Sequence, residues 1–280
     1  MSHEVAIGKP NENGNLFEIR TVQSAAFRTL IEALKDILTD ANIEFDSTGM
    51  KILAVDDTHT VLTYLKLESS RFETFYCPSK QVLGINMINF FKLIKTISNN
   101  DHLTLFLQAN NPNKLGIRAD NAEKGTTNTW MMKLYDIRME TMEFPNITFT
   151  SVIHMPSLDF QKICRDFNQL AERLEITSSN ADLIFRCMGD FVDGETVIMS
   201  NNQSGITVER NTNEIVQGVF EMKFLMTFTK CTSLCSSVQI HLKNDRPLVL
   251  RYMVANLGEI RLVLAGYKDN KETHARAQRV

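Results

Sequence analysis

The sequence predicts an α+β fold, with two similar domains in one chain and, in each, two helices packed on antiparallel sheets. Three observations carry that expectation. Helical periodicity is confined to four segments, the stretches between them are short alternating or β-branched runs bounded by turn residues, and this order occurs twice at nearly one offset. With 280 residues, 43% of them hydrophobic, the chain can bury a sizeable core without covalent staples.

The elements follow in order. The opening "MSHEVAIGKPNENGNL" is polar and Gly/Asn-rich with no apolar run of signal-peptide length, so residues 1–15 read as a flexible leader. "SAAFRTLIEALKDIL" sets Phe27, Leu30, Ile31, Leu34 and Leu38 on one helical stripe. The runs "NIEFDSTGMKILAV", "TVLTYLKL" and "HLTLFLQ" read as strands around a second helix, "INMINFFKLIKTI", whose apolar residues go nearly all round; together they make a first domain, 16–131. "MKLYDIRMETMEFPNITFT", 132–150, has mixed charge, a proline and no steady period, and reads as a connector.

The second domain, 151–267, opens on the helix "DFQKICRDFNQL", with Phe160, Ile163, Cys164, Phe167 and Leu170 at i, i+3, i+4, i+7 spacing. Strand runs such as "LEITSSNADLIFRCMG", "ETVIMS" and "SGITVER" then lead to a fourth helix, "FEMKFLMTFTKCTSL", and to "VQIHLKNDRPLVLRYMV" and "EIRLVLAG". Lys162 follows Arg28 by 134 positions and Lys223 follows Lys92 by 131, so two independent anchors agree on nearly one repeat. Residues 268–280 read as a flexible tail.

Thirty Lys and Arg against thirty-three Asp and Glu give a net charge of −3, so binding to a polyanion requires local segregation of charge. The five cysteines are odd in number and include no CxxC pair, which argues against a disulfide framework or a zinc knuckle and for reduced thiols inside a cell. Cys231 and Cys235, four apart, suit small apolar packing roles. No window reaches the roughly 18 apolar residues of a membrane span. "DDTH" (Asp56, Asp57, Thr58, His59) reads as a polar turn between strands, since no second acidic or histidine group stands at ligand spacing. Phosphate loops and nucleophile elbows are missing, so the expectation is a protein without catalysis, metal or cofactor.

Segregated charge is found on the helices. Arg28 and Lys35 are seven apart, Lys92 and Lys95 three, Lys162 and Arg165 three, and Lys223 and Lys230 seven, spacings that keep each pair on one helical face. For any single helix a solvated face is the ordinary explanation. Four pairs at matched positions point instead to a surface for phosphates, and with no base-reading motif the contact is expected to ignore nucleotide sequence.

"FEIRTVQSAAFRTLIEALKDIL", "MPSLDFQKICRDF", "FLMTFTKCTSL" and "RPLVLRYMVANLGEIRLVLA" resemble the proliferating cell nuclear antigen family, the eukaryotic-type DNA sliding clamps, over about Leu16 to Ala265. The resemblance implies a ring of three subunits, helices lining the hole and sheets outside. It further implies a processivity factor that encircles duplex DNA and tethers replication and repair enzymes, opened by a separate ATP-dependent loader, in a nucleus or a viral replication compartment. The family's hole-lining cations map onto the same eight residues, with Arg28 in place of the usual lysine.

The resemblance also assigns ring closure to two edge strands, "NKLGIRA" (Lys114, Leu115, Gly116, Ile117, Arg118) and "ETVIMSN" (Thr196, Val197, Ile198, Met199), the glycine being a departure. It maps a client-peptide pocket onto Val55, His59, Leu62, Phe144, Pro145, Pro247, Val263, Leu264 and Ala265, altered by "LAGYK" and by Val263 where an aromatic is usual. The lysine that carries ubiquitin in many such clamps maps onto Asn180. Two other readings stay open: a clamp-like accessory or checkpoint scaffold of different oligomeric state, and a nuclease using Asp56 and Asp57.

Overall fold

The computed structural model describes residues 9–56, 58–138, 142, 144, 147–179, 182–199 and 205–267. Two compact units share the chain, one formed by Met1–Pro145 with Met253–Ile260 and the other by Asn146–Tyr252 with Arg261–Val280. The break at Pro145 falls within the expected connector. Met253–Ile260, expected in the second domain, belongs to the first unit.

The element order repeats. The first run is β1 (Asn15–Thr21), α1 (Ser24–Leu34), β2 (Asp40–Asp46), β3 (Gly49–Val55), β4 (Val61–Glu68), β5 (Thr74–Tyr76), β6 (Gln81–Asn86), α2 (Met87–Ile94), β7 (His102–Gln108), β8 (Lys114–Asn121) and β9 (Thr126–Lys133). The second is β10 (Ser151–Pro156), α3 (Ser157–Phe167), β11 (Arg173–Ser178), β12 (Asp182–Met188), β13 (Asp193–Met199), β14 (Thr207–Arg210), β15 (Val216–Glu221), α4 (Met222–Phe228), β16 (Ser237–Leu242), β17 (Leu248–Val254) and β18 (Gly258–Leu264). Pairing repeats as well: β1 lies between β5 and β7 as β10 lies between β14 and β16, and β2 between β3 and β6 as β11 between β12 and β15. This is the α+β architecture that the sequence predicts.

In unit 1, Phe17 of β1 stacks on Phe45 of β2 at 4.6 Å between centroids, and Phe27 of α1 meets Phe90 of α2 edge-on at 6.2 Å. In unit 2, Phe160 of α3 packs on Phe185 of β12 at 6.4 Å. Buried side chains of this size each stabilise by about 1.5–3 kcal/mol, so these rings tie β1 to β2, α1 to α2 and α3 to β12.

The helices end earlier than their apolar stripes. After α1, Asp36 N and Ile37 N donate to the carbonyls three residues back, Ala33 and Leu34, and the tightened turn still buries Leu38. After α2, Thr96 and Ile97 do the same onto Leu93 and Ile94. Lys35 and Lys95 are therefore C-cap residues. The fourth expected helix divides at Phe228 into α4 and a 3-10 stretch, Thr229–Leu234, so Cys231 and Cys235 do not share an α-helical face. Cys231 is fully buried, and burial pushes its thiol up to about 12.

Residues 9–14 of the expected leader are described and form a turn. Asn11 Oδ1 accepts the N–H groups of Asn13 and Asn15, Gly14 N donates to Asn11 O, and the Tyr76 hydroxyl bonds Lys9 O. Residues 9–14 thus form a hydrogen-bonded turn leading into β1. Burial works against the charge on Glu18, but the amide N–H groups of Asn11, Asn15 and Asn13 and the positive Arg118 outweigh it and hold that carboxyl below its usual value.

Candidate nucleic-acid interface and subunit edges

The eight helix cations differ in how far they are committed within the chain. Arg28, half-buried, donates from one guanidinium nitrogen to Ile97 O at 2.9 Å and from the other to Asn99 Oδ1, tying α1 to the turn after α2. Lys35 is 2.9 Å from Asp36 and lies over the Phe91 ring at 5.0 Å. Lys162 pairs with Asp166 one turn on, and Arg165 reaches the same carboxylate at 4.0 Å. Lys223 pairs with Glu221 at 2.7 Å and lies over Phe224.

Lys92 bonds only weakly to Asn89, at 3.3 Å, and Lys95 and Lys230 are exposed, the latter on the 3-10 stretch rather than on α4. Exposed ion pairs are worth about 0–1 kcal/mol, so exchanging Asp166 or Glu221 for a phosphate costs little. Arg28 is different, because its bonds organise the fold. Asp36, Asp166 and Glu221 were not singled out from the sequence, although Lys162 and Asp166 stand at the i, i+4 spacing that pairs on a helix.

The sheet edges give one correction. The five-stranded sheet of unit 1 runs β5-β1-β7-β8-β9, so β8 is an inner strand. Lys114, Leu115, Gly116, Ile117 and Arg118 pair with β7 on one side or β9 on the other, as Ile117 does with both Leu105 and Trp130, and offer no free ladder. Gly116 has a local reason: a Cβ there would stand 2.2 Å from the Phe106 ring, which lies across the glycine with Arg118 over it at 5.1 Å.

The edge strands of this sheet are β5 and β9, and β9 reaches from the Thr126 end to Trp130, Met131 and Met132. In unit 2 the four-stranded sheet runs β13-β12-β11-β15, so Thr196, Val197, Ile198 and Met199 lie on a free edge, with Val197 and Met199 exposed. The sequence signal for β9 is weak because half of the strand is Thr and Asn. A tight turn closed by Gly125, at φ 59°, marks its start.

The element order shows what these two edges are. β13 holds in the second run the place that β4 holds in the first, and β9 the place of β18. In unit 1 the outer side of β4 is occupied: Glu68 N donates to Leu257 O at 2.9 Å, and a Cβ on Gly258, where β18 begins, would stand 2.0 Å from Lys66 O. The equivalent edges β9 and β13 have no such neighbour among the described residues.

Family models describe both halves of the chain: the N-terminal domain of proliferating cell nuclear antigen matches residues 16–143 and its C-terminal domain residues 143–267. The chain belongs to the proliferating cell nuclear antigen family. It is also similar to a protein named "Probable DNA polymerase sliding clamp 1" from Paramecium bursaria Chlorella virus 1, at 32% identity over 259 residues, 91% of this chain and 98% of the relative.

The residues that the family likeness assigns to a client pocket divide between the units. In unit 1, Val55 and Leu62 face each other across β3 and β4, both half-buried, and Phe144 packs on Tyr64 of β4 at 4.9 Å. His59 is exposed in the intervening turn at φ 54°. Asp56 organises that turn by accepting the N–H groups of Thr60 and Val61 and the Thr58 hydroxyl; burial opposes its charge, yet these bonds lower its pKa. Among the described residues no cluster could hold a metal ion, and Asp56 is used as a turn carboxylate.

In unit 2, Pro247 is half-buried and Ala265 exposed, while Val263 and Leu264 are 5% and 0% exposed and, as neighbours in β18, lie on opposite faces of its sheet, Leu264 on the face of Ile260 and Leu262. Pro145, Asp57 and Asn180 lie outside the described residues.

Proposed function

We propose that this chain is a DNA sliding clamp, a processivity factor whose copies join head to tail into a closed ring around duplex DNA. The observation that carries this reading is the unmatched edge pair. The repeat joins β18 to β4 within one chain and leaves the equivalent β9 and β13 for another copy, and an edge on each unit generates a head-to-tail chain of subunits that can close. Apolar side chains on both edges, Trp130 and Met131 on β9 and Val197 and Met199 on β13, support burial there.

Exposed cations on the helices of a protein with net charge −3 supply the second part. Lys92, Lys95, Lys162, Arg165, Lys223 and Lys230 contact phosphates without reading bases, and Lys35 contributes at the end of α1. Encirclement converts weak client contacts into lasting ones by raising effective concentration, so the clamp needs no chemistry of its own. Polymerase and other clients dock through short peptides at Val55, His59, Leu62, Phe144, Pro145, Pro247 and Ala265. A separate ATP-dependent loader opens the ring, in a nucleus or a viral replication compartment.

Solution mass by light scattering tests the assembly. A species of three times the 31.9 kDa chain mass is expected, and a chain that stays at 31.9 kDa at every concentration would instead be an accessory scaffold.

A further inference from the structure

The hairpin between β12 and β13 carries an apolar tip that its own unit does not bury. Met188 and Asp193 are the last cross-strand pair, and Gly189 N donates to Val192 O at 3.0 Å, closing a tight turn. Met188 is 85% exposed and Phe191 78% exposed, with Val192 beside them. Asp190 and Asp193, both exposed, flank the tip. Aromatic and methionine side chains so fully in water at a hairpin apex mark an interaction surface.

We infer that this tip is a second contact between copies, seated on the segment Lys133–Tyr135 at the far end of β9 of the next subunit. The inference rests on the edge-pairing reading above. The strand registers of both units are antiparallel, and β9 and β13 have eight and seven residues, so antiparallel pairing of the two edges sets the start of β13 against the end of β9. The turn 189–192 then reaches past Lys133. Tyr135 stands there, 51% exposed, from a backbone fixed by its N–H bond to Gly84 O at 2.9 Å. Lys133, exposed, faces Asp190 and Asp193 in that arrangement, so apolar and charged partners both match. A parallel arrangement would carry Phe191 to the Thr126 end of β9, where Thr126–Thr129 present only polar side chains.

The test is the concentration at which the assembled protein dissociates, followed by sedimentation for the full chain, Phe191→Ser, Tyr135→Ser and the double variant. Each single change should raise that concentration about tenfold, and the double variant should do no more than one of them, because both remove the same contact. Single variants that dissociate like the unaltered chain, or effects that add in the double variant, would overturn the tip contact while leaving edge pairing intact. An unaltered chain that never assembles would overturn edge pairing, and the tip contact with it. A charge exchange, Asp193→Lys with Lys133→Asp, should restore assembly weakened by either change alone; failure to restore it counts against the antiparallel arrangement.

Discussion

Arg28 and Lys92 are both helix cations, yet Arg28 is bonded into the fold while Lys92 is exposed and bonds only weakly to Asn89. Arg28→Ala removes donors from Ile97 O and Asn99 Oδ1 and should lower unfolding free energy by about 1–2 kcal/mol in urea titration, with a smaller effect on DNA. Lys92→Glu with Lys95→Glu should leave the urea midpoint nearly unchanged. It should weaken binding to duplex of any sequence and flatten its salt dependence by about one unit of slope per lost phosphate contact.

Asp46 gives a pH signature. Partial burial penalises its charge, but bonds from Lys51 Nζ at 2.7 Å and from the Thr48 hydroxyl and N–H outweigh this and hold its pKa at about 2. A carboxyl depressed in the folded state stabilises fully above its unfolded value of about 3.9 and loses that contribution as pH falls towards 2. Thermal melts from pH 5 to 2 should show Asp46→Asn converging with the unaltered chain at the acid end; a gap that stays constant over that range would remove the carboxylate from the account.

At the scale of elements, β8 and β9 differ in what their sequences advertise. "KLGIRA" alternates because one face of β8 packs on the core and buries Leu115, Ile117 and Ala119, while the first half of "TTNTWMMK" is exposed and polar, so the clearer strand pattern belongs to the inner strand. Apolar periodicity placed all four helices but overran their ends, since Leu38 and Ile97 continue the buried stripe in tightened turns. The acids that pair with the helix cations, and the burial of Val263 and Leu264, depend on tertiary placement that periodicity does not carry.

The edge assignment predicts a contrast between variants. Val197→Lys and Met199→Lys, exposed on β13, should give well-folded chains that sediment as monomers. Arg118→Glu on the inner strand β8 should still assemble, losing its cation–π contact with Phe106 and some stability. Gly116→Ala should destabilise by about 1–3 kcal/mol in urea, because the Phe106 ring must move.

At the scale of the whole molecule, an internal duplication accounts for the fold and for the assembly proposed above. Among the described residues, two runs of the same eleven strands and α-helices join β4 to β18 and leave their equivalents β13 and β9 at sheet edges, where further copies would join on the reading proposed above. A net charge of −3 disfavours indiscriminate binding to nucleic acid, while on the reading proposed above the helix cations would supply a screened attraction that holds without fixing position. Such a protein is retained on DNA by closure rather than by affinity.

That claim is tested most directly on a linear duplex anchored at one end. The protein is allowed to thread from the free end, that end is then blocked with a bulky protein, and the DNA is washed at high salt. Retention on blocked duplex, with loss from duplex left open, is the predicted result; equal loss from both would show that charge alone holds the protein to DNA and that no ring encircles it.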